Sequence, residues 1–187
     1  MNVVETRLPG PVLFEPRVFG DPRGFFVETF RTSWFEERGL PTRWVQDNHS
    51  RSGRGVVRGM HFQAGPPQAK LVRVARGAIV DVLVDVRRGS PAFGRWEAYE
   101  LDDERMRVLY VPTGFAHGFC ALGEINDVIY KQTAYYDPAI ERGIAWNDPQ
   151  VAVSWPLPKA ELLVSARDSA APLLCEIAAE LPFDYHD

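Results

Sequence analysis

Four histidines, and the polar residues set in phase with them, carry most of the chemistry open to this 187-residue chain. His61 lies in Val56-Val57-Arg58-Gly59-Met60-His61-Phe62-Gln63, where strand alternation sets His61 and Gln63 on one face and Met60 and Phe62 on the other. An imidazole and an amide turned away from an apolar side suit a barrel interior; the plain alternative is a hydrogen-bonded structural histidine. Arg58 stands three residues before His61 and is out of phase with it in a regular strand. It reaches the same side only if Gly59 marks a bulge. His117 shares its face with Phe115 and Phe119 and lies between Gly114 and Gly118, which fits either close ligand approach or a satisfied core group. His186, beside the C-terminus, is expected to be inert.

Around these imidazoles lie groups of complementary chemistry. Gln46, Asn48 and Ser50 alternate onto one face, and their amides can orient sugar hydroxyls, phosphate oxygens or base edges if that face points inward. Lys70 is in phase with Val72 and Val74, an uncommon place for an unpaired lysine unless it snorkels from the strand end. Tyr130 is in phase with Gln132, and Asp168 follows Ser165-Ala166-Arg167, where capping or surface exposure is the first expectation. An imidazole steered by a carboxylate makes a general base near neutral pH, and an ammonium beside it stabilises an enolate. Arg23, Arg58 and Arg167 are available to hold an anion. The chain has no G-x-S-x-G, P-loop or Rossmann fingerprint, which argues against the common hydrolase, kinase and dehydrogenase designs.

The elements that position these groups are short strands. At 187 residues the expectation is one domain spanning 1–187 with its own core. Apolar residues make up 45% and charged residues 25%, and the net charge of −4 lacks the footprint of a nucleic-acid binder. The two cysteines, Cys120 and Cys175, make neither a disulfide framework nor a metal-type pair. With no leader-like start and no long apolar run, the expectation is a cytoplasmic protein without membrane contact.

Glycine and proline punctuate runs rich in Val, Ile, Phe and Tyr: Val12–Phe19, Phe25–Phe30, Trp44–His49, Val56–Phe62, Lys70–Ala75, Ala78–Val86, Arg95–Leu101, Arg107–Val111, Phe119–Leu122, Val128–Thr133 and Ala152–Trp155. In Ala78–Val86 the even-numbered valines share a face opposite Asp81, Leu83 and Asp85, so one side is core and the other mixed. Helical periodicity is confined to Thr32–Arg38 and Pro172–Leu181. A mainly β chain, folded as an antiparallel jelly-roll barrel with small flanking helices, fits best.

Several strings occur together in order: Asp21-x-Arg23-Gly24-x-Phe26-x-Glu28, Gln46-x-Asn48-x-Ser50, Arg58-Gly59-Met60-His61-x-Gln63, Lys70-x-Val72-Arg73, Val111-Pro112-x-Gly114-Phe115-Ala116-His117-Gly118-Phe119 and Trp146-Asn147-Asp148-Pro149. In this register the chain resembles the dTDP-4-dehydrorhamnose 3,5-epimerase family from about residue 5 to about residue 175. The resemblance implies a cofactor-free, cupin-like homodimer that inverts carbons 3 and 5 of dTDP-4-keto-6-deoxy-D-glucose. It matches His61 to the general base, Asp168 to its carboxylate partner, Lys70 to the enolate stabiliser and Tyr130 to the acid on the opposite face. Arg23, Glu28, Gln46, Asn48, Arg58, His117, Glu141 and Arg167 match positions that hold the nucleotide sugar, and Tyr136 matches an aromatic stacked on thymine.

Three other readings compete. A metal-dependent cupin would recruit His61 and His117, but Gln63 stands where a second histidine would be expected, so no metal site is expected. A non-catalytic nucleotide-sugar module would not need a base, its carboxylate and an opposing acid together. A mono-epimerase, acting at carbon 3 or carbon 5 alone, would keep the same groups.

Overall fold

The computed structural model describes residues 1–186. In chain order the strands are β1 (Asn2–Val4), β2 (Val12–Glu15), β3 (Val18–Asp21), β4 (Gly24–Val27), β5 (Gln46–Ser52), β6 (Val56–Gln63), β7 (Lys70–Arg76), β8 (Ala78–Asp85), β9 (Trp96–Asp102), β10 (Val108–Val111), β11 (Phe115–Ala121), β12 (Asn126–Gln132), β13 (Glu141–Gly143) and β14 (Leu163–Val164). Three short helices accompany them: α1 (Thr32–Glu36), α2 (Ala166–Ser169) and α3 (Leu174–Ile177). One six-stranded sheet runs β1-β2-β10-β7-β12-β5; the other runs β13-β6-β11-β8-β9, with β14 added beside β6. Only the β14–β6 pairing is parallel among the named strand pairs. This is the expected jelly roll.

Alternation along the strands builds three layers. Val72, Val74, Leu83, Leu109, Phe115, Phe119 and Val128 come from both sheets and form the core between them. Leu71 and Val108 point the other way, where Phe35 of α1 covers the first sheet. Met60, Phe62, Val82 and Val84 face out of the second sheet and are covered by Leu174, Leu181 and Phe183 near the C-terminus. Both faces of β8 are therefore buried: Asp81 and Asp85, on the mixed face, are 0% exposed. Burying each large apolar side chain in these layers contributes about 1.5–3 kcal/mol.

The structure redraws several of the expected elements. Val12–Phe19 breaks into β2 and β3 around Pro16, which has no N–H to give a ladder. Ala152–Trp155 is a loop: Ala152 has φ 52 and bonds back to Asp148, while Trp155 donates its indole N–H to the Trp146 carbonyl. Its apolar residues cap the outside of the second sheet. The expected helix Pro172–Leu181 is one α-turn, α3, followed by a 3-10 turn at Ala178–Glu180, and α1 ends at Glu36.

The irregularity expected at Gly59 is present. On β6 the three steps from Arg58 to His61 oppose only two on β11, from Phe119 to His117. That extra residue is what brings Arg58 and His61 to the same side. Gly59 has φ +130, and a Cβ there would lie 2.5 Å from the Gly118 Cα and 2.9 Å from the His117 carbonyl oxygen. Gly59→Ala is expected to cost at least about 1–3 kcal/mol from backbone strain alone, read as a lower denaturation midpoint. An unchanged midpoint would show that the bulge is not a constrained feature.

Candidate active site

The bulge sets Arg58 and His61 at the mouth of a cleft between the two sheets, with a volume of about 620 Å³. Gln46, Asn48 and Ser50 of β5, Lys70 of β7, His117 of β11, and Tyr130 and Gln132 of β12 line it, and Tyr136, Glu141, Arg167 and Asp168 close one side. The polar face of β5 thus points inward, while Asp47, His49 and Arg51 are exposed. Arg23 and Glu28 are not brought to this cleft. Arg23 pairs with Asp21 at the β3–β4 turn, and Glu28 pairs with Arg31.

Asp168 departs from the surface exposure its local turn suggests and lies beside His61, the residue to which the resemblance paired it. It is 6% exposed, and its position in α2 is fixed by the Ser165 hydroxyl, which accepts a hydrogen bond from the Asp168 backbone N–H. Its Oδ1 lies 2.8 Å from His61 Nε2, and its Oδ2 accepts from the Gly59 N–H at 3.3 Å. Burial alone would raise the carboxyl pKa, but the His61 contact, with the Gly59 and Ser165 bonds, outweighs it and holds the value below the usual 3.8. An ionised carboxylate at Nε2 selects the tautomer with its proton there and leaves the lone pair on Nδ1.

A second imidazole–carboxylate pair lies on the same sheet. Asp81 is 0% exposed and its Oδ2 is 2.9 Å from His117 Nε2. The other His117 nitrogen, Nδ1, is 3.5 Å from Lys70 Nζ, which reaches across from the first sheet. Asp81 was not singled out from sequence; its phase on β8, directly opposite Phe119, is the signal that could have found it. Burial holds Lys70 below its ordinary pKa, against the pull of Glu141 and Asp81. Burial likewise depresses His117 below 6.5, with Asp81 opposing and Lys70 adding to the shift.

A depressed histidine makes the fold less stable in acid, because the unfolded chain takes up a proton that the native site resists. The stabilisation is present above about 6.5, the unfolded value, and is lost as pH falls below it. Wild-type denaturation stability should therefore fall more steeply than that of His117→Gln between about pH 7.5 and about pH 5.5. Parallel slopes would contradict this.

Amides tie the remaining lining together. Gln46 Nε2 donates to Asn48 Oδ1, Asn48 Nδ2 to Gln132 Oε1, and Gln132 Nε2 to Gln68 Oε1. Gln46 Oε1 accepts from the Tyr136 N–H, and the Tyr136 hydroxyl donates to Glu141, which also pairs with Arg167. Gln63 holds the same loop, donating to the Pro66 and Tyr135 carbonyls and accepting from the Asp137 N–H. Gln132 is read from sequence only as a residue in phase with Tyr130, and Gln68, which precedes β7, has no signature of its own there. Among the described residues no group of three or more His, Cys, Asp or Glu side chains is placed to hold a metal ion.

Tyr130 stands on the sheet opposite His61. Burial raises its pKa, with Arg58 opposing, so the phenol keeps its proton. An imidazole held by a carboxylate on one wall, a phenol on the other and an ammonium nearby are the groups that could remove a proton from one face of a carbon and return one to the other. Fold and cleft together define a cupin-like isomerase that works by proton transfer.

The comparisons narrow this class. The family model for dTDP-4-dehydrorhamnose 3,5-epimerase matches residues 5–176, and the chain belongs to that family. It is 51% identical over 164 residues to a dTDP-4-dehydrorhamnose 3,5-epimerase of Pseudomonas aeruginosa, covering 87% of this chain and 91% of that protein. A Neisseria gonorrhoeae protein of the same name is 49% identical over 170 residues, covering 91% of this chain, which spans 52% of that longer protein. The structure of a dTDP-6-deoxy-D-glucose-3,5-epimerase from Legionella pneumophila, in complex with dTDP-4-keto-L-rhamnose, superposes with a TM-score of 0.95 at 45% identity, covering 100% of this chain and 99% of that one.

Proposed function

We propose that the chain, acting as one cupin-like domain over residues 1–187, inverts carbons 3 and 5 of dTDP-4-keto-6-deoxy-D-glucose to give dTDP-4-keto-L-rhamnose. The observation that carries this reading is the placement of His61 and Tyr130 on opposite sheets across one cleft. Both carbons flank the carbon-4 ketone, so each gives up its proton once the ketone oxygen can hold negative charge. His61 Nδ1 takes the proton, with Asp168 stabilising the imidazolium through Nε2. Lys70 meets the developing enolate oxygen, and Tyr130 delivers a proton from the other side.

Arg58 and Arg167 hold the diphosphate by charge-assisted bonds. Tyr136 stacks on the base, and Gln46, Asn48, His117 and Glu141 orient the sugar nucleotide. Incubation with the 4-keto sugar nucleotide followed by borohydride reduction should yield rhamnose. Recovery of only 6-deoxyglucose and its carbon-4 epimer would overturn the reading, and a singly inverted sugar would reduce it to mono-epimerisation.

Arg23 and Glu28 complete the site from a second copy of the chain. The β3–β4 hairpin that carries Arg23 shows the paired Phe19 and Phe26 at 50 and 69% exposure on one face and Phe25 at 60% on the other, apolar surface suited to burial in a homodimer. Light scattering should give the mass of a dimer; a fully active monomer would contradict it. No described helix is long and apolar enough to cross a membrane, and a nucleotide-sugar substrate supports a cytoplasmic location.

A further inference from the structure

Asp81 stands in the apolar layer between the two sheets. Its neighbours in phase on β8, Ile79 and Leu83, belong to that core, and Asp81 itself is fully buried. A carboxylate withdrawn from water is tolerated only when charge and hydrogen bonds compensate it. Oδ1 nevertheless accepts no hydrogen bond from any described residue, and Oδ2 meets His117.

Strand register accounts for the pairing. Phe119 of β11 lies directly opposite Asp81, so His117, two residues earlier, is its diagonal neighbour and within side-chain reach. Lys70 enters from the facing sheet, on the inward phase of β7 with Val72 and Val74, and ends 3.5 Å from His117 Nδ1. Carboxylate, imidazole and ammonium thus form a chain that crosses the core and ends in the cleft.

Each link sets the next. A carboxylate only accepts, so the His117 proton lies on Nε2. Burial favours the neutral ring, which leaves a lone pair on Nδ1 for one N–H of the Lys70 ammonium. Two N–H bonds of Lys70 then remain for a ligand.

We propose that Asp81 is a positioning residue, which through His117 fixes the Lys70 ammonium where the enolate oxygen forms. Resting on the epimerase reading above, it extends that site to a residue that does not line the cleft. His117 orients the sugar through Lys70 rather than by a bond of its own. Without the carboxylate the ring is free to take the other tautomer, which turns an N–H toward the ammonium and repels it.

Nitrogen-15 NMR of the histidine-labelled wild-type chain near neutral pH tests the first link. His117, assigned by its loss in His117→Gln, should show a protonated Nε2 and a bare Nδ1. In Lys70→Met the Nδ1 signal should move downfield, as for a lone pair that has lost its donor. Protonation at Nδ1, or a signal that ignores Lys70→Met, would overturn the proposal whether or not any Asp81 variant folds. Kinetics test the second link. Asp81→Asn should lower kcat and proton exchange at carbons 3 and 5 by about tenfold, part of the loss expected when a charge-stabilising donor is removed outright. KM should change little, because charge develops on the ketone oxygen only in the transition state. In a Lys70→Met background the same substitution should change exchange by less than about twofold, since the group it positions is already gone. Equal losses in the two backgrounds would show that Asp81 does not act through Lys70, and would leave the epimerase reading intact. A wild-type chain that neither exchanges nor inverts the sugar would remove both.

Discussion

Replacing His61 with alanine is expected to remove both product formation and exchange of substrate protons with solvent. His61 faces the cleft at 25% side-chain exposure and is held at Nε2 by Asp168, whereas His49, whose Nε2 pairs with Asp127, lies on the exposed face of β5. The other cleft-facing imidazole, His117, is engaged by Asp81 on one nitrogen and approached by Lys70 on the other, which leaves it no free lone pair. A positioned general base contributes about 10²–10⁴-fold, so turnover should fall by at least that much. Affinity for dTDP by calorimetry should change little, because the groups proposed to hold the nucleotide are left in place. Proton exchange persisting near the wild-type rate in His61→Ala would show that a different group is the base.

Tyr130→Phe should separate the two halves of the reaction. The variant keeps His61, Asp168 and Lys70, so deuterium should still enter the substrate at carbons 3 and 5, while inverted product falls by about 10²–10⁴-fold for want of an acid on the opposite wall. Only the hydroxyl is lost, and the ring continues to pack against the core between the sheets. The ratio of exchange to inversion is the diagnostic quantity, since a packing defect would lower both together. Inversion at the wild-type rate would remove Tyr130 from the proton path.

Much of this arrangement was legible because it follows from alternation. The phase of β6 sets His61 and Gln63 against Met60 and Phe62, that of β5 turns Gln46, Asn48 and Ser50 inward, and that of β7 carries Lys70 inside with Val72 and Val74. Gly59 announced its bulge because an isolated glycine in an apolar strand needs a reason. Asp168 was legible only through resemblance: its partner His61 lies 107 residues away, and nothing local to the turn at Ser165 signals that its carboxylate enters a sheet. Asp81 was hidden by its setting on a mixed face, where an aspartate reads as solvated. β13 and β14 have three and two residues, too short for periodicity, and exist because β6 offers them an edge. Ala152–Trp155 misled because apolar composition is shared by strands and by loops that cap a sheet.

Two-faced proton transfer at both carbons is tested most directly by a proton NMR time course of dTDP-4-keto-6-deoxy-D-glucose with the wild-type chain in deuterium oxide. The signals of the hydrogens on carbons 3 and 5 should both disappear as the L-rhamno product forms, each replaced by solvent deuterium, with no loss at carbons 1 and 2. Product that keeps its original hydrogen at either inverted carbon, or a substrate spectrum that never changes, would contradict removal by His61 and return by Tyr130.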